Sequence, residues 1–545
     1  MVFWISLILS FLIAAFGQPA WVSGLGAVSA CAGFALFWNA MLCLSRPRDR
    51  FLLSFGWFAL VQAVHLSWMT STSYMGMMIF GVYLILLAGL GFQFALLSAF
   101  VKPGEPLNFR KIAAAAGFWV FMEWIRLYFL SGFTWNPTGL SLAGSEYSLQ
   151  FAALLGVYGL SFWVILVNLT ALKAYLEKSK KIALLWGSLA LFPYLFGIFH
   201  IQLIPPVSTK ILSAALVQTA LFPEQKDYDN RKPDRFILPL DQWDRILAQL
   251  KGESELDLIV LPEAALPYGA YRKLYPYQTA RLFWIQHFGI ESVSSLPPLE
   301  APYAEAVEEM GTTRWNVNNL YLVQALSNQF NAHVLAGMDA EDPGTRLRYN
   351  AVFHFRPDQE KPERYEKRVL VPVGEYVPFK NFRFIARFLA ENYGVTDSFQ
   401  AGDQIKVFEG PLPIGVSICV EELYTGLMRD LRKTGAELFV NVSNDIWFPE
   451  SRLPLQHFHH ARVRAVENGV CTLRSCNSGI TGSIDRFGRP GALLAPSEES
   501  AGALHLSILA ESHKTLYTWW GDAAILALSG GSVLCFLSTR KKKLP

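Results

Sequence analysis

The sequence predicts two bodies in one chain. One is a polytopic α-helical membrane bundle of eight spans, and the other is a layered α/β or α+β domain set between the seventh and eighth spans. Three observations carry this. Of 545 residues, 52% are hydrophobic and only 17% charged, whereas soluble domains carry about a quarter charged residues. The apolar residues are unevenly spread: 1–204 are poor in charge, 205–515 have ordinary globular composition, and a last apolar run precedes a basic tail. The basic residues between the apolar runs also fall in every second loop.

A helix needs about 20 apolar residues to cross a bilayer. Seven candidates precede the domain, near residues 2–17, 20–44, 51–70, 75–100, 111–130, 150–176 and 182–204, and an eighth lies near 517–537. The first has no basic stretch ahead of its apolar run, as a signal peptide would, so it is expected to be a retained span. Lysine and arginine gather at 45–50 ("SRPRDR"), at Lys102, Arg110 and Lys111, at 173–181 ("KAYLEKSKK") and at 540–543 ("RKKK"), after the second, fourth, sixth and eighth spans. Positive residues stay on the cytoplasmic side, so both termini are expected there and the domain on the outer side. The expected organisation is 1–206 for seven spans, 207–515 for the extracytoplasmic domain, and 516–545 for the last span and tail.

Near the outer end of the fifth span stand Glu123 and Arg126. Ionisable groups in spans are costly and mark either function or, at this spacing, a helix-end ion pair. The loop that follows, "SGFTWNPTG", presents Trp135 at the membrane surface, to anchor in headgroups or touch a lipid.

In the domain, short β-branched runs alternate with helical stretches. Strands are expected at 214–218, 256–261, 333–337, 350–355, 414–419 and 438–442, helices at 424–434 and 455–468, and a hairpin turn at 486–488. Sheets covered by helices follow. Residues 282–315 lack clean periodicity and read as a lid or an insertion over one face. Of the six cysteines, Cys31, Cys43 and Cys535 lie in apolar runs, and Cys471 and Cys476 share one strand-like segment on opposite faces, so no disulfide framework is expected. The net charge of +3 points to no nucleic-acid partner.

Three segments share one form, an apolar strand running into a polar reactive residue. "LDLIVLPEAALP" places Glu263 past a strand, "YEKRVLVPVGEYVPF" offers Lys367 and Glu375, and "GVSICVEEL" offers Cys419 and Glu421. A cysteine at a strand-to-helix junction is expected to gain from the positive helix end, which favours thiolate. A carboxylate can take the thiol proton, and a lysine can hold that carboxylate and stabilise an oxyanion. Together the three supply base, cation and nucleophile for acyl transfer. On spacing alone Cys419 stays open between a nucleophile and a small buried hydrophobe.

The order Glu, Lys, Cys in these contexts resembles the nitrilase (carbon–nitrogen hydrolase) superfamily, and with the spans it is similar to that superfamily's membrane-bound N-acyltransferase branch. The resemblance runs along nearly the whole chain, through "LPEAALP", "KRVLVPVGEYVPF", "ICVEE", "VSNDIWF", "QHFHHARVRAVENG", "LRSCNSGIT", "MEWIRLYFLSGFTW" and "QFAALLGVYGL". It implies an α-β-β-α sandwich on an eight-helix bundle in the bacterial inner membrane. It implies Glu263, Lys367 and Cys419 as the catalytic triad, with Glu375 supporting the triad or a lid arm and Glu421 orienting groups around the thiol. Trp447 matches a tryptophan near the acyl pocket, and Trp135 one at the membrane surface. The implied reaction moves a fatty acyl chain from a phospholipid, through a cysteine thioester, to the α-amine of a diacylglyceryl-cysteine on an apolipoprotein. A monomer without metal or other cofactor is expected.

Two positions depart from the pattern. Val420 stands where the family usually has tyrosine, and "QTALFPEQKDY" lacks the tryptophan that follows the first strand, leaving Tyr228 as the nearest aromatic. Both bear on substrate positioning. "HFHH" sets His457 and His460 one turn apart, a spacing that suits zinc, but no third ligand is near and packing histidines are the reading adopted. Two other functions share some of these features: a membrane-tethered amidase, which would share the triad without a lipid groove, and a transporter, against which the spans carry no paired Gly/Pro-broken helices.

Overall fold

The computed structural model of the chain describes residues 2–205, 211–229, 232–252, 255–309, 312–357, 359–384, 387, 390 and 398–541. The expected domain boundary at 206/207 and the basic positions 542–543 lie outside these residues. Helices stand at all eight places where spans were expected: Val2–Phe16, Ser23–Met41, Pro47–His65, Met78–Ser98, Phe109–Trp124, Ala152–Glu177, Lys180–Leu203 and Asp522–Lys541. Four of them, Ser23–Met41, Met78–Ser98, Ala152–Glu177 and Lys180–Leu203, are long and apolar enough to cross a membrane. Three of the other four fall short of that expectation for identifiable reasons. Val2–Phe16 and Phe109–Trp124 have 15 and 16 residues, and Pro47–His65 opens on Arg48, Asp49 and Arg50, while Asp522–Lys541 is an apolar helix of 20 residues ending in Arg540 and Lys541.

The fifth helix stops early, at Trp124, and a 3-10 turn, Ile125–Tyr128, takes over. Of the two readings of Glu123 and Arg126, the helix-end ion pair is not formed, and each side chain instead bonds a neutral partner. The Glu123 carboxylate accepts from the Trp119 indole N–H and the Thr138 backbone N–H, both at 2.8 Å, and Arg126 Nε donates to Gln93 at 2.8 Å.

The domain is built on two six-stranded sheets. The first runs in the order Gly502–Leu509, Ile211–Gln218, Leu258–Leu261, His333–Glu341, Arg348–Phe355, Glu363–Glu366. The second runs Pro490–Leu494, Thr481–Ile484, Cys471–Cys476, Leu438–Ser443, Ile414–Ile418, Val407–Phe408. All six expected strands are present, the fifth ending one residue early so that Cys419 lies beyond it. Alternation sends neighbouring side chains to opposite faces. Leu212, Ala214 and Leu216 pack with Val416, Ile418 and Val440 between the sheets, while Ala215 and Val217 face Trp243 and Ile246 of helix Pro239–Leu250 on the outside. Helices Thr425–Lys433 and Leu453–Asn468 cover the outer face of the second sheet. The layering is helix, sheet, sheet, helix.

The stretch expected as a lid or insertion is a folded insertion. Helix Tyr277–Phe288 leads to hairpin strands Ala304–Glu309 and Thr312–Val317, which join Tyr275–Pro276 in a small sheet. Trp284, Tyr303 and Val317 are buried with helix Asn319–Phe330, so the insertion belongs to the outer helical layer of the first sheet.

Helix Leu453–Asn468 is the shared wall between domain and bundle. Phe458, Ala461 and Ala465 face the second sheet, and Leu453, Val463 and Val466 are part of the core of the bundle. Polar contacts follow the same seam: Gln456 Nε2 donates to the His65 carbonyl at 2.7 Å, and Tyr424 OH to the Ser131 carbonyl at 2.7 Å. Helix Ala152–Glu177 bends to meet it at Gly156 (φ +67°, ψ −172°). That backbone region is essentially glycine-only, and the Val157 N–H just beyond it donates to Glu467 Oε1 at 2.7 Å. A Cβ on residue 156 would sit 2.4 Å from the Tyr517 ring. Gly156→Ala is therefore expected to cost about 2 kcal/mol or more, read as a lowered midpoint in thermal unfolding of the detergent-solubilised protein.

Candidate active site

Three chain segments leave the ends of three strands and meet. Glu263 follows Leu258–Leu261, Lys367 follows Glu363–Glu366, and Cys419 follows Ile414–Ile418 of the second sheet. Lys367 is buried, and its Nζ donates to Glu263 Oε1 at 3.0 Å and to Glu375 Oε1 at 2.8 Å. Asn350 Nδ2 reaches the same two oxygens at 2.7 and 2.8 Å, and Glu375 Oε2 accepts from the Val371 N–H at 2.7 Å. Burial disfavours a charged lysine, but Glu263 and Glu375 outweigh it and hold Lys367 well above its ordinary range, as a fixed ammonium.

Cys419 is half-buried and has φ +53°. A non-glycine residue there costs about 1–2 kcal/mol, which its surroundings must supply. Its carbonyl takes Asn441 Nδ2 at 3.1 Å and lies 3.2 Å from His457 Nε2. Burial pushes the thiol up, and the Glu263 charge adds to this, while Lys367 pulls it down by less. The first two influences favour the thiol form over the thiolate. The help expected from a following helix is reduced by local geometry: a 3-10 turn, Cys419–Leu423, follows the strand, and the α-helix starts only at Thr425.

Glu421 is buried and ties two of the three segments together. Its oxygens accept from the Ile418 N–H at 2.8 Å, the Arg368 N–H at 2.6 Å, the Val369 N–H at 3.1 Å and Tyr365 OH at 3.0 Å. One side chain thus holds the residue before Cys419 and the two after Lys367. Glu422 pairs with Arg474 and lies 2.9 Å from His457 Nε2, and His457 Nδ1 lies 3.0 Å from Asp445 Oδ1. The remaining histidines of "HFHH" also have protein partners, His460 Nε2 at the Trp135 carbonyl (2.9 Å) and His459 Nδ1 beside Arg462 (3.0 Å).

The structure brings Glu263, Lys367, Glu375, Cys419 and Glu421 together, with Trp135 close by, its ring 5.6 Å from that of His457. Trp447 is set apart, 41% exposed, with its ring edge-on to Tyr74 at 5.7 Å. Tyr228 is 55% exposed and packs on Phe236. Its neighbour Lys226 reaches further in: Nζ donates to the Ala264 carbonyl at 2.8 Å, and burial brings it down to about 8 against the pull of Glu263. Sequence reasoning missed Asn350, Asn441, Asp445 and the partners of His457. Each is a polar residue in or just after an apolar strand, a signal as plain as the one that exposed Glu263, but none carries a recognisable reactive group. Glu421→Gln leaves one acceptor oxygen where two are used. Hydrogen exchange at Ile418, Arg368 and Val369 is expected to quicken about tenfold or more, roughly 1.4 kcal/mol of local stability, as read by mass spectrometry.

Comparison with known families places the chain. A carbon–nitrogen hydrolase model matches residues 232–544, and the chain belongs to that family. A second model, for the N-terminal domain of apolipoprotein N-acyltransferase, matches residues 10–170. The chain is 31% identical to the apolipoprotein N-acyltransferase of Chlamydia caviae over 97% of its own length and 96% of the relative's, and 29% identical to that of Chlamydia pneumoniae over 98% of each. Within the hydrolases it belongs to the apolipoprotein N-acyltransferase family. A solved Saccharomyces cerevisiae member of the nitrilase superfamily aligns at 17% identity, over 57% of this chain and 93% of that one, with a TM-score of 0.35.

Proposed function

We propose that this chain transfers a fatty acyl chain from a membrane phospholipid to the N-terminal α-amine of a diacylglyceryl-cysteine on apolipoproteins, with Glu263, Lys367 and Cys419 as the reacting set. The observation that carries the proposal is a cysteine at a strand end beside a buried glutamate–lysine pair, on a domain that shares helix Leu453–Asn468 with a bundle of apolar helices. Glu263 takes the Cys419 proton as sulfur attacks the ester carbon. The carbonyl oxygen becomes an oxyanion, which the Lys367 ammonium stabilises. The ester C–O bond breaks, Glu263 returns the proton to the leaving oxygen, and a lysophospholipid departs from the thioester. The acceptor nitrogen then attacks the thioester carbon with Glu263 again as base, the C–S bond breaks, and the sulfur recovers a proton.

Burial, which favours the thiol form of Cys419, suits this order of events, because the base then has a proton to take and to deliver. Glu375 and Asn350 keep Glu263 and Lys367 aligned, and Glu421 keeps the two loops in register. Beyond Glu375, Phe379, Phe382 and Phe384 are exposed, and Tyr376 OH accepts from Ser131 Oγ of the bundle at 3.0 Å. That apolar stretch is placed to meet acyl chains. The eight helices act as eight spans in the bacterial inner membrane, with 1–206 and 516–545 as the membrane parts, the domain 207–515 on the outer side and both termini cytoplasmic. Trp135 and Trp447 serve as aromatic contacts for the lipid substrates, and Tyr228 lies on the flank of the site.

Incubated with phospholipid alone, the purified chain is expected to gain the mass of one fatty acyl chain, removable by hydroxylamine. Cys419→Ala should show no gain, and Glu263→Gln should slow it by about a thousandfold, the scale of losing a general base. Intact-mass spectrometry reads all three. A folded wild-type protein that stays unacylated while hydrolysing small amides would point to an amidase instead.

A further inference from the structure

A groove of about 430 Å³ opens on the second sheet's outer side, between the loop after Leu438–Ser443 and the turn at 496–500. Its lining includes Asp445, Glu450, Glu498 and Glu499, together with Ser478 and Ser497, and no lysine or arginine. Asp445 closes the inner end. It is 3% exposed; Oδ1 lies against His457, and Oδ2 has no hydrogen-bond partner among the described residues. A buried carboxylate oxygen without a donor is costly, and a donor entering by the groove would satisfy it. One imidazole links this end to the cysteine: His457 Nδ1 lies 3.0 Å from Asp445 Oδ1, and its Nε2 lies 3.2 Å from the Cys419 carbonyl.

The outer part adjoins the bundle. Phe448, which lines the groove, meets the Trp68 ring at 4.7 Å, and Arg452 beside it donates to the Ala20 carbonyl at 2.8 Å. A ligand in this groove is therefore held at the junction with the apolar helices, with its inner end one imidazole away from the Cys419 backbone. The four acids do not gather as metal ligands do: among the described residues no group of three histidines, cysteines or carboxylates is placed to hold a metal ion. An elongated, hydroxyl-lined acidic groove suits an organic cation attached to a chain.

We propose that this groove receives the N-terminal peptide segment of the acceptor, with Asp445 taking its α-ammonium beside the acylated Cys419. This rests on the acyltransferase reading given above and names how the second substrate is chosen. Glu450, Glu498 and Glu499 draw in the cation and disfavour acidic residues close behind the acceptor cysteine. The ammonium loses one proton to solvent through the open groove. Its nitrogen then bonds the thioester carbon, and the second proton passes to Glu263 and on to the departing sulfur, so an amide and a free thiol result.

The test uses the full chain in mixed phospholipid–detergent micelles and two diacylglyceryl-cysteine peptides that differ only at the second residue, lysine or glutamate. Wild type is expected to favour the lysine peptide by about tenfold in kcat/KM at low ionic strength, and less at about 0.5 M salt, where charges are screened. In Glu498→Gln/Glu499→Gln the preference should fall below about threefold, and Glu450→Gln should lower it further, while the acyl-thioester still accumulates on Cys419 in the same preparations. Equal use of both peptides by wild type, or an unchanged preference in the acylated variants, overturns the groove assignment and leaves the acyltransferase reading standing. Absence of any thioester on folded wild type overturns both.

Discussion

A buried ammonium between one buried and one half-buried carboxylate is the interaction on which the site depends. Lys367 donates to Glu263 and Glu375, and none of the three would be tolerated in that position without the others, since an unpaired buried ion costs several kcal/mol. The carboxylates come from different chain segments, so the pair fixes where those segments must lie. Asn350, bonded to the same oxygens, removes the remaining freedom. The arrangement is rigid before any substrate arrives, which is what electrostatic stabilisation of a developing oxyanion requires.

The cysteine is held by a second, separate set of bonds. Its left-handed backbone is secured through its own carbonyl by Asn441, and through the preceding N–H by Glu421. Glu421 joins the two sets, because it also holds the backbone after Lys367. Strain at Cys419 is thus sustained by the same contact that keeps the cation and the sulfur in register. Burial and the Glu263 charge push the thiol up, so the surroundings of Cys419 do not by themselves favour a thiolate.

Much of this was legible in the residues, and the parts that were not have physical causes. Apolar runs located all eight helices, since length and hydropathy are local properties. Length and hydropathy alone support a membrane crossing less well where a helix is short, as at Phe109–Trp124, or opens on charge, as at Pro47–His65. Strand ends exposed Glu263, Lys367 and Cys419 because a reactive group after an apolar run stands out. Spacing along a helix could not decide whether Glu123 and Arg126 pair, since it says nothing about partners such as Trp119 and Gln93. The 3-10 turn Cys419–Leu423, which separates the cysteine from the helix at Thr425, was not legible in a strand followed by an acid pair. Asn350 and Asp445 went unseen because their roles exist only through contacts far apart in the chain.

The first sheet has Ile211 paired with Leu509, so the domain's first and last strands lie side by side although about 300 residues separate them. A chain made from its N-terminus cannot complete that pairing until nearly the whole domain has been synthesised. Until then the strand nearest the bundle presents an open edge, and open edges pair promiscuously. Closure of the sheet is consequently a late, long-range event, of the kind that folds slowly. It also sets the two ends of the domain, Ile211 and Leu509, side by side, while the wall formed by Leu453–Asn468 holds the domain to the bundle over a separate seam.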